Sequence, residues 1–187
     1  TIIHLSSSIS YLTNLDVYIT PYTGNDVSSS GDANQYATLY CTIGQGANKG
    51  ANTGIIPIYN GDYWNIFVGT EGISGSNSDL IFGAYQANWL KHVTAFTQSF
   101  SITEADRHGS LGDPWYDEKN HGGAHSAFFG GNPRMTGTRN DFSGSFQEIR
   151  YHFGELLSHN TLKKHALAPF LYGGNTPSSS YENLVLR

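Results

Sequence analysis

The chain has 187 residues, of which 38% are hydrophobic, 13% aromatic and 13% charged, and its formal net charge at neutral pH is −5. The length corresponds to about one domain, and low charge with many aromatic residues excludes a charged disordered chain. Alanine, glutamate, lysine, leucine and arginine do not dominate, which excludes a coiled coil or helical bundle. The basic residues form no stripe and no apolar run approaches the roughly 18–20 residues that span a bilayer, so we expect neither nucleic-acid binding nor membrane insertion.

The first hundred residues alternate between apolar and polar side chains, with Gly, Ser, Asn and Asp between the alternating segments. This pattern is typical of short strands joined by turns. Asn60 and Gly61 tolerate positive φ angles, so we predict a type I′ hairpin around them, and a further turn near Asn88. Strands are predicted at residues 2–5, 9–20, 36–43, 55–59, 63–68, 79–85 and 93–102, with loops at 21–34 and 44–54.

The second half of the chain is less regular. Residues 104–140 are polar and rich in glycine, and we interpret them as inserted loops around one short strand at 126–130. A strong strand is predicted at 142–153. The apolar residues change from one face to the other along it, which indicates either a bulge near Gln147 or partial burial of both faces. One short helix follows, because Ser158 can cap it and Leu162 and Ala166 lie four residues apart, and Pro169 marks its end. A final strand is predicted at 183–187.

Many short strands with one late helix predict an all-β fold, in which two antiparallel sheets form a sandwich with one short C-terminal helix. We expect residues 1–187 to form a single domain. The first residue is Thr1 and the last five residues resemble a strand that stops in mid-course, so we expect a segment of a longer chain. The single cysteine, Cys41, excludes an intrachain disulfide, and its apolar neighbours predict a buried thiol in a strand.

A family resemblance comes from the sequence FSGSFQEIRY at residues 142–151, followed by Leu156, Leu157, Ser158 and the helix. It resembles the closing strand and short helix of laminin-G-like (concanavalin A-like) jelly rolls. The C-terminal segment, with Pro169, Gly174-Asn175 and residues 184–187, is similar to laminin-G-like domains in virion structural proteins of tailed phages and large DNA viruses. The sequence departs from the family pattern at Asn160 and Thr161, where an acidic residue is usual, and residues 104–140 carry no family motif.

The resemblance implies a jelly-roll sandwich located in a virion or outside the cell. It implies other virion proteins, or copies of the same chain, as partners, and a cell-surface glycan as a further possible partner. It does not choose a ligand, because jelly rolls serve as lectins, glycosidases and scaffolds alike.

Carboxylates in the long insertion are candidates for an active site and for a calcium site. Glu104, Asp106 and His108 alternate as glycosidase carboxylates do, but a second Glu is missing, so we favour a solvated strand end. Laminin-G-like domains often hold calcium through loop carboxylates. No spaced Asp-x-Asp-x-Asp loop occurs, so no cofactor is required and calcium stays an open alternative. The calcium candidates are Asp106 and Asp117, with Asp113 and Asp141 as further carboxylates.

Aromatic and imidazole side chains in the same insertion suggest a ligand site. Trp115 and Tyr116 could stack on sugar faces, and Asp113, His121 and His125 could bond sugar hydroxyls. The alternative is that the aromatic pair packs the insertion onto a sheet and the histidines bond backbone. A helical zinc site is not expected, because Gly122 and Gly123 disfavour the helix that would bring the histidines together, and an extended chain separates them by about 13 Å. A looped metal site stays an open alternative, since Asp117 and Glu118 are near in sequence.

We therefore expect a non-catalytic structural or binding module of a viral particle, with glycan binding through its loops. A glycoside hydrolase or a free lectin on the same sandwich are the alternatives. Glu148 and Arg150, two residues apart, are expected to share a face and form an ion pair. Trp64 and Trp89 are expected in the core.

Overall fold

The computed structural model describes residues 1–7, 15–22, 35–43, 49–71, 77–88, 90–103, 125–131, 144–146, 148–152, 156–168 and 184–186. These residues form strands and one helix in this order: β1 (Ile3–Ser7), β2 (Leu15–Pro21), β3 (Ala37–Ile43), β4 (Lys49–Ile56), β5 (Tyr63–Glu71), β6 (Asn77–Ala87), β7 (Val93–Thr103), β8 (His125–Phe129), β9 (Tyr151–His152), α1 (His159–Leu167) and β10 (Leu184–Leu186).

The strands form antiparallel sheets, as predicted. One sheet has five strands in the order β4-β3-β2-β1-β8, a second has three strands in the order β5-β6-β7, and β9 pairs with β10. The five-stranded and three-stranded sheets share one hydrophobic core, to which Leu15, Leu39, Leu80 and Phe82 all belong. The prediction of an all-β protein with two main antiparallel sheets and one short helix is confirmed at this level.

Alternation along the strands explains how the core forms. In β3 every second residue is fully buried, starting at Ala37 and ending at Ile43, while the residues between them are half-buried. Leu15 and Val17 of β2 lie opposite Ile43 and Cys41 of β3, so the apolar side chains of neighbouring strands share one face. Removing this face from water is the main stabilising contribution.

Cys41 lies within this apolar face. Its side chain is fully buried and the thiol is free, as the sequence predicted. Burial, together with the nearby charge of Asp16, raises the pKa of the Cys41 thiol far above its ordinary value. The thiol is therefore a protonated apolar group, and its role here is packing.

Helix α1 packs on the other face of the three-stranded sheet. The Ser158 hydroxyl accepts a hydrogen bond from the Thr161 backbone N–H at 3.2 Å, which caps the helix as predicted. Leu162 and Ala166 are buried against Phe67 and Tyr85 of the sheet. The predicted apolar face of the helix is confirmed, and it anchors α1 to β5 and β6.

Two loop and turn predictions were wrong. Residues 49–54 were predicted as a loop, but they form most of β4, which pairs with β3. β4 lies at the end of the five-stranded sheet as described, so it needs hydrogen bonds on one side only and tolerates exposed polar residues. The predicted hairpin at Asn60 and Gly61 is also absent, because β4 and β5 belong to different sheets.

Side-chain hydrogen bonds at Asn60 explain the crossing between sheets. Its Oδ1 accepts from the Asp62 backbone N–H at 3.0 Å and from Trp64 Nε1 at 3.3 Å. Gly61 has a φ of 83°, whereas among the described residues other than glycine only Lys91 has a positive φ, so a type I′ turn is not formed. The amide of Asn60 replaces the backbone pairing that a hairpin would have used.

The predicted strand at 142–153 was too long. Residues 144–146 and 148–150 are not in a strand, and among the described residues of this segment only Tyr151–His152 pairs, with β10. A bulge at Gln147 would lie outside the described residues. The predicted turn near Asn88 is confirmed, since its Oδ1 accepts from the backbone N–H groups of Leu90 and His92. Trp64 packs against the core as predicted, and Trp89 lies outside the described residues.

Candidate functional site

Most of the predicted site residues lie outside the described part of the chain. This holds for Asp106, Asp113, Trp115, Tyr116, Asp117, His121 and Asp141, and for Glu104 and His108. His125 is the first residue of β8, and its backbone pairs with Ser7 of β1. The proposed roles of these residues therefore stay predictions.

The described residues contain a different candidate, on the face of the five-stranded sheet that points away from the core. Because side chains alternate along a strand, the residues between the core positions of β1, β2 and β3 share this outer face. The register places His4 opposite Asp16 and Phe128, and Tyr18 opposite Tyr40. We call this cluster the outer-face site, and it consists of His4, Asp16, Tyr18, Thr20, Thr38, Tyr40, Thr42 and Phe128.

A buried His–Asp pair forms the centre of the outer-face site. His4 Nδ1 lies 2.7 Å from Asp16 Oδ1, and the two side chains are 1% and 12% exposed. An ionised carboxylate only accepts hydrogen bonds, so the imidazole donates through Nδ1–H. The other nitrogen, Nε2, is buried and has no hydrogen-bond partner within the described structure. The His4 ring also packs on Phe128, with ring centroids 5.9 Å apart.

The hydrogen bond between His4 and Asp16 resembles the one between a catalytic histidine and the carboxylate that orients it. The buried position of the pair indicates a structural role instead. A catalytic imidazole needs its second nitrogen within hydrogen-bond reach of a nucleophile or a substrate. Here the His4 side chain is only 1% exposed and Nε2 is buried, so substrate would have no access to Nε2 without movement of its surroundings. The geometry fits a group that fixes strands β1 and β2 to each other.

A pair of tyrosines lies beside the buried dyad on the same face. The Tyr18 and Tyr40 rings are almost parallel, with an interplanar angle of 6° and centroids 5.2 Å apart. Both side chains are half-buried, and half-buried Thr20 and Thr38 continue the same face. The pair presents apolar ring surface and hydroxyl groups together, which is the combination that carbohydrate recognition uses.

Four carboxylates whose side chains are described, those of Asp16, Asp62, Asp79 and Glu148, each have a partner of another kind. Asp16 contacts His4, and Asp62 Oδ2 accepts from Gln86 Nε2 at 2.6 Å. Asp79 accepts from the Ser101 hydroxyl at 2.7 Å. Glu148 accepts from Arg150 Nε at 3.0 Å, so the predicted ion pair is formed, and both side chains are only 11% exposed. These arrangements stabilise local structure and differ from two facing carboxyl groups.

Histidines cluster around helix α1, away from the outer-face site. The Tyr85 hydroxyl forms a hydrogen bond with His159 Nδ1, and burial raises the pKa of Tyr85. The rings of His152 and His165 lie nearly parallel, with centroids 6.4 Å apart. Burial, reinforced by the charge of Arg150, lowers the pKa of His152.

The described residues show neither a group of metal ligands nor a membrane-spanning helix. Among the described residues, no three or more His, Cys, Asp or Glu side chains are grouped so that they could hold a metal ion. In the same part of the chain, no helix combines the length and the apolar character needed to cross a bilayer.

Comparison with protein-family models, curated proteins and solved structures found no match for the chain. The residues of the outer-face site and the sequence resemblance described above are therefore the observations that bear on function.

The sequence contained a signal for this site. Asp16, Tyr18 and Thr20 alternate with Leu15, Val17 and Ile19, which indicated a polar face with an aromatic residue on it. The partner residues came from other strands, His4 and Tyr40, and only the register identifies which residues lie opposite each other. A loop site was expected instead, because loops more often carry binding residues.

Proposed function

We propose that the chain is a non-catalytic glycan-binding and structural module built on a laminin-G-like jelly roll, located in a viral particle or a similar extracellular assembly. The observation that carries the binding part is the parallel, half-buried pair of Tyr18 and Tyr40 on the outer face, flanked by threonine hydroxyls. The virion part is based on the resemblance of residues 142–151 and of the C-terminal segment to virion laminin-G-like domains.

A non-catalytic role is supported by the outer-face site itself. His4 and Asp16 are engaged with each other and buried beside the tyrosines. Hydrolysis of a glycosidic bond needs two carboxyl groups flanking the bond. The carboxylates of Asp16, Asp62, Asp79 and Glu148 instead have imidazole, amide, hydroxyl and guanidinium partners.

The binding proposal predicts a specific effect of the tyrosines. Tyr18→Ala and Tyr40→Ala should each weaken binding of the best glycan from an oligosaccharide array by about fivefold, since loss of an aromatic platform costs on the order of 1 kcal/mol. Titration calorimetry measures the affinity, and thermal unfolding checks that each variant folds.

The matched control is Tyr59→Ala, because Tyr59 is 44% exposed and lies before β5, outside strands β1, β2 and β3. This variant should bind like the parent chain. Absence of binding to any glycan, equal weakening by Tyr59→Ala, or release of reducing ends from a bound polysaccharide would contradict the proposal.

The structural part predicts self-association or binding to neighbouring chains. Light scattering of the isolated chain should give a mass that corresponds to several copies, because particle components occupy repeated positions. A monomer at all accessible concentrations would argue for the free lectin instead.

A further inference from the structure

We propose that His152 is a pH-sensitive latch, whose neutral imidazole packs beside His165 and holds helix α1 against β9, and that this contact opens when His152 takes up a proton. The latch is separate from the outer-face site and does not depend on glycan binding. It involves β9 and α1, which meet at the rings of His152 and His165.

The imidazole rings of His152 and His165 lie next to each other and nearly parallel. Their planes are inclined by only 19° and the centroids are 6.4 Å apart, so the imidazoles lie side by side across the contact between β9 and α1. His165 is 5% exposed on the buried face of the helix, next to Ala166 at 2%. A neutral His152 ring packs here as a flat, largely apolar group.

The environment of His152 disfavours a charged imidazole. Both of its ring nitrogens are buried and have no hydrogen-bond partner among the described residues. A buried imidazolium has two N–H donors that need acceptors, and leaving them without any is costly. Protonation of His152 therefore favours an open arrangement in which water reaches the ring.

A positive charge, that of Arg150, lies near His152. Arg150 on the same segment is cationic and acts on His152, while the Arg150 guanidinium is itself bonded to Glu148. His165 is the titratable group that faces His152 from α1, whose Lys163 and Lys164 are exposed. β10, which pairs with β9, contains only Leu184, Val185 and Leu186. Arg150 is thus a positive charge that disfavours protonation of His152 in the closed form.

The direction of the pH effect follows from these groups. In the closed form the pKa of His152 is lowered, by burial and then by Arg150, whereas in the open form it returns to the ordinary value of about 6.5. The open form therefore binds more protons between these two values. The contact has its full stability above about pH 6.5 and loses stability as the pH falls from there towards the pKa of the closed form.

Hydrogen exchange tests the latch at the residues involved. Amide exchange of peptides from α1, corrected for the intrinsic pH dependence of exchange, should show the opening equilibrium of the helix increasing about tenfold per pH unit below about pH 6.5. Peptides from β2 and β3, which belong to the other sheet, should keep their protection over the same range.

Variants separate the latch from general acid destabilisation. His152→Leu should remove most of the pH dependence of α1, and His165→Gln should reduce it. If His152→Leu does not fold, His165→Gln and the parent chain still decide the question. His92→Gln is the control, because His92 is exposed in the turn before β7 and should not alter the response.

Two results would overturn the proposal. One is protection of α1 that does not change between about pH 7.5 and about pH 5, a range in which an unperturbed histidine changes its charge. The other is an equal loss of protection in His152→Leu, which would assign the response to other groups. Loss in the parent chain and its absence in His152→Leu would establish the latch.

Discussion

Phe82→Ala is expected to destabilise the protein by about 3–5 kcal/mol, the range for truncation of a buried Phe. Phe82 lies in β6, the central strand of the three-stranded sheet, and is 0% exposed. Its ring meets that of Phe100 on β7 edge to face, with centroids 6.3 Å apart. Removing the ring creates a cavity between the two sheets, and paired strands hold the backbone so that it closes only partly.

Urea denaturation followed by circular dichroism measures this effect, and the slope of the transition shows whether the unfolded state has changed. Phe129→Ala is the matched control, because Phe129 is 38% exposed on β8. We expect it to cost about 1 kcal/mol, since the ring already contacts water. Equal costs for both variants would mean that Phe82 is not at the centre of the core.

Local alternation was enough to predict most of the strands. Leu15, Val17 and Ile19 point to one face and Asp16 and Tyr18 to the other, so period two fixed both the strand and its buried side. The helix was equally accessible, because its cap and its apolar spacing are local features confirmed at Ser158. In both cases the signal lies within a few residues of the chain.

The errors occurred where an element depends on distant residues. β4 forms because β3 supplies hydrogen-bond partners, from Lys49 opposite Ile43 to Ile56 opposite Ala37, and its own polar residues gave no alternation. At Asn60 the sequence allowed a hairpin, but the core position of Ile56 and the side-chain bonds of Asn60 direct the chain into the other sheet. Choice of sheet is a tertiary property, and local patterns do not determine it.

The candidate site shows the same limit. The outer face of β2 could be predicted from its polar and aromatic residues, whereas the pairing of Tyr18 with Tyr40 depends on the register between β2 and β3. His4 was not identified as part of a site, since a single histidine in an apolar strand gives no indication of its partner. Asp16 lies twelve residues further along the chain and directly opposite in β2.

The buried pair of His4 and Asp16 gives the second large effect. His4→Leu or Asp16→Val alone is expected to destabilise the protein by about 3–5 kcal/mol, because each leaves the other polar group buried without the partner seen at 2.7 Å. Denaturation of the two single variants and the parent chain measures this cost. Asp79→Ala is the control: Asp79 is exposed and bonded to Ser101, so the change should be within about 0.5 kcal/mol.

The double variant His4→Leu with Asp16→Val distinguishes a specific pair from two separate packing effects. An apolar pair of similar volume removes the desolvation cost of both groups together, so the double variant should be more stable than either single one. This corresponds to a coupling of about 1–3 kcal/mol between the two positions. Additive costs would instead show that His4 and Asp16 each interact mainly with other neighbours, and the outer-face site would then lack its structural centre.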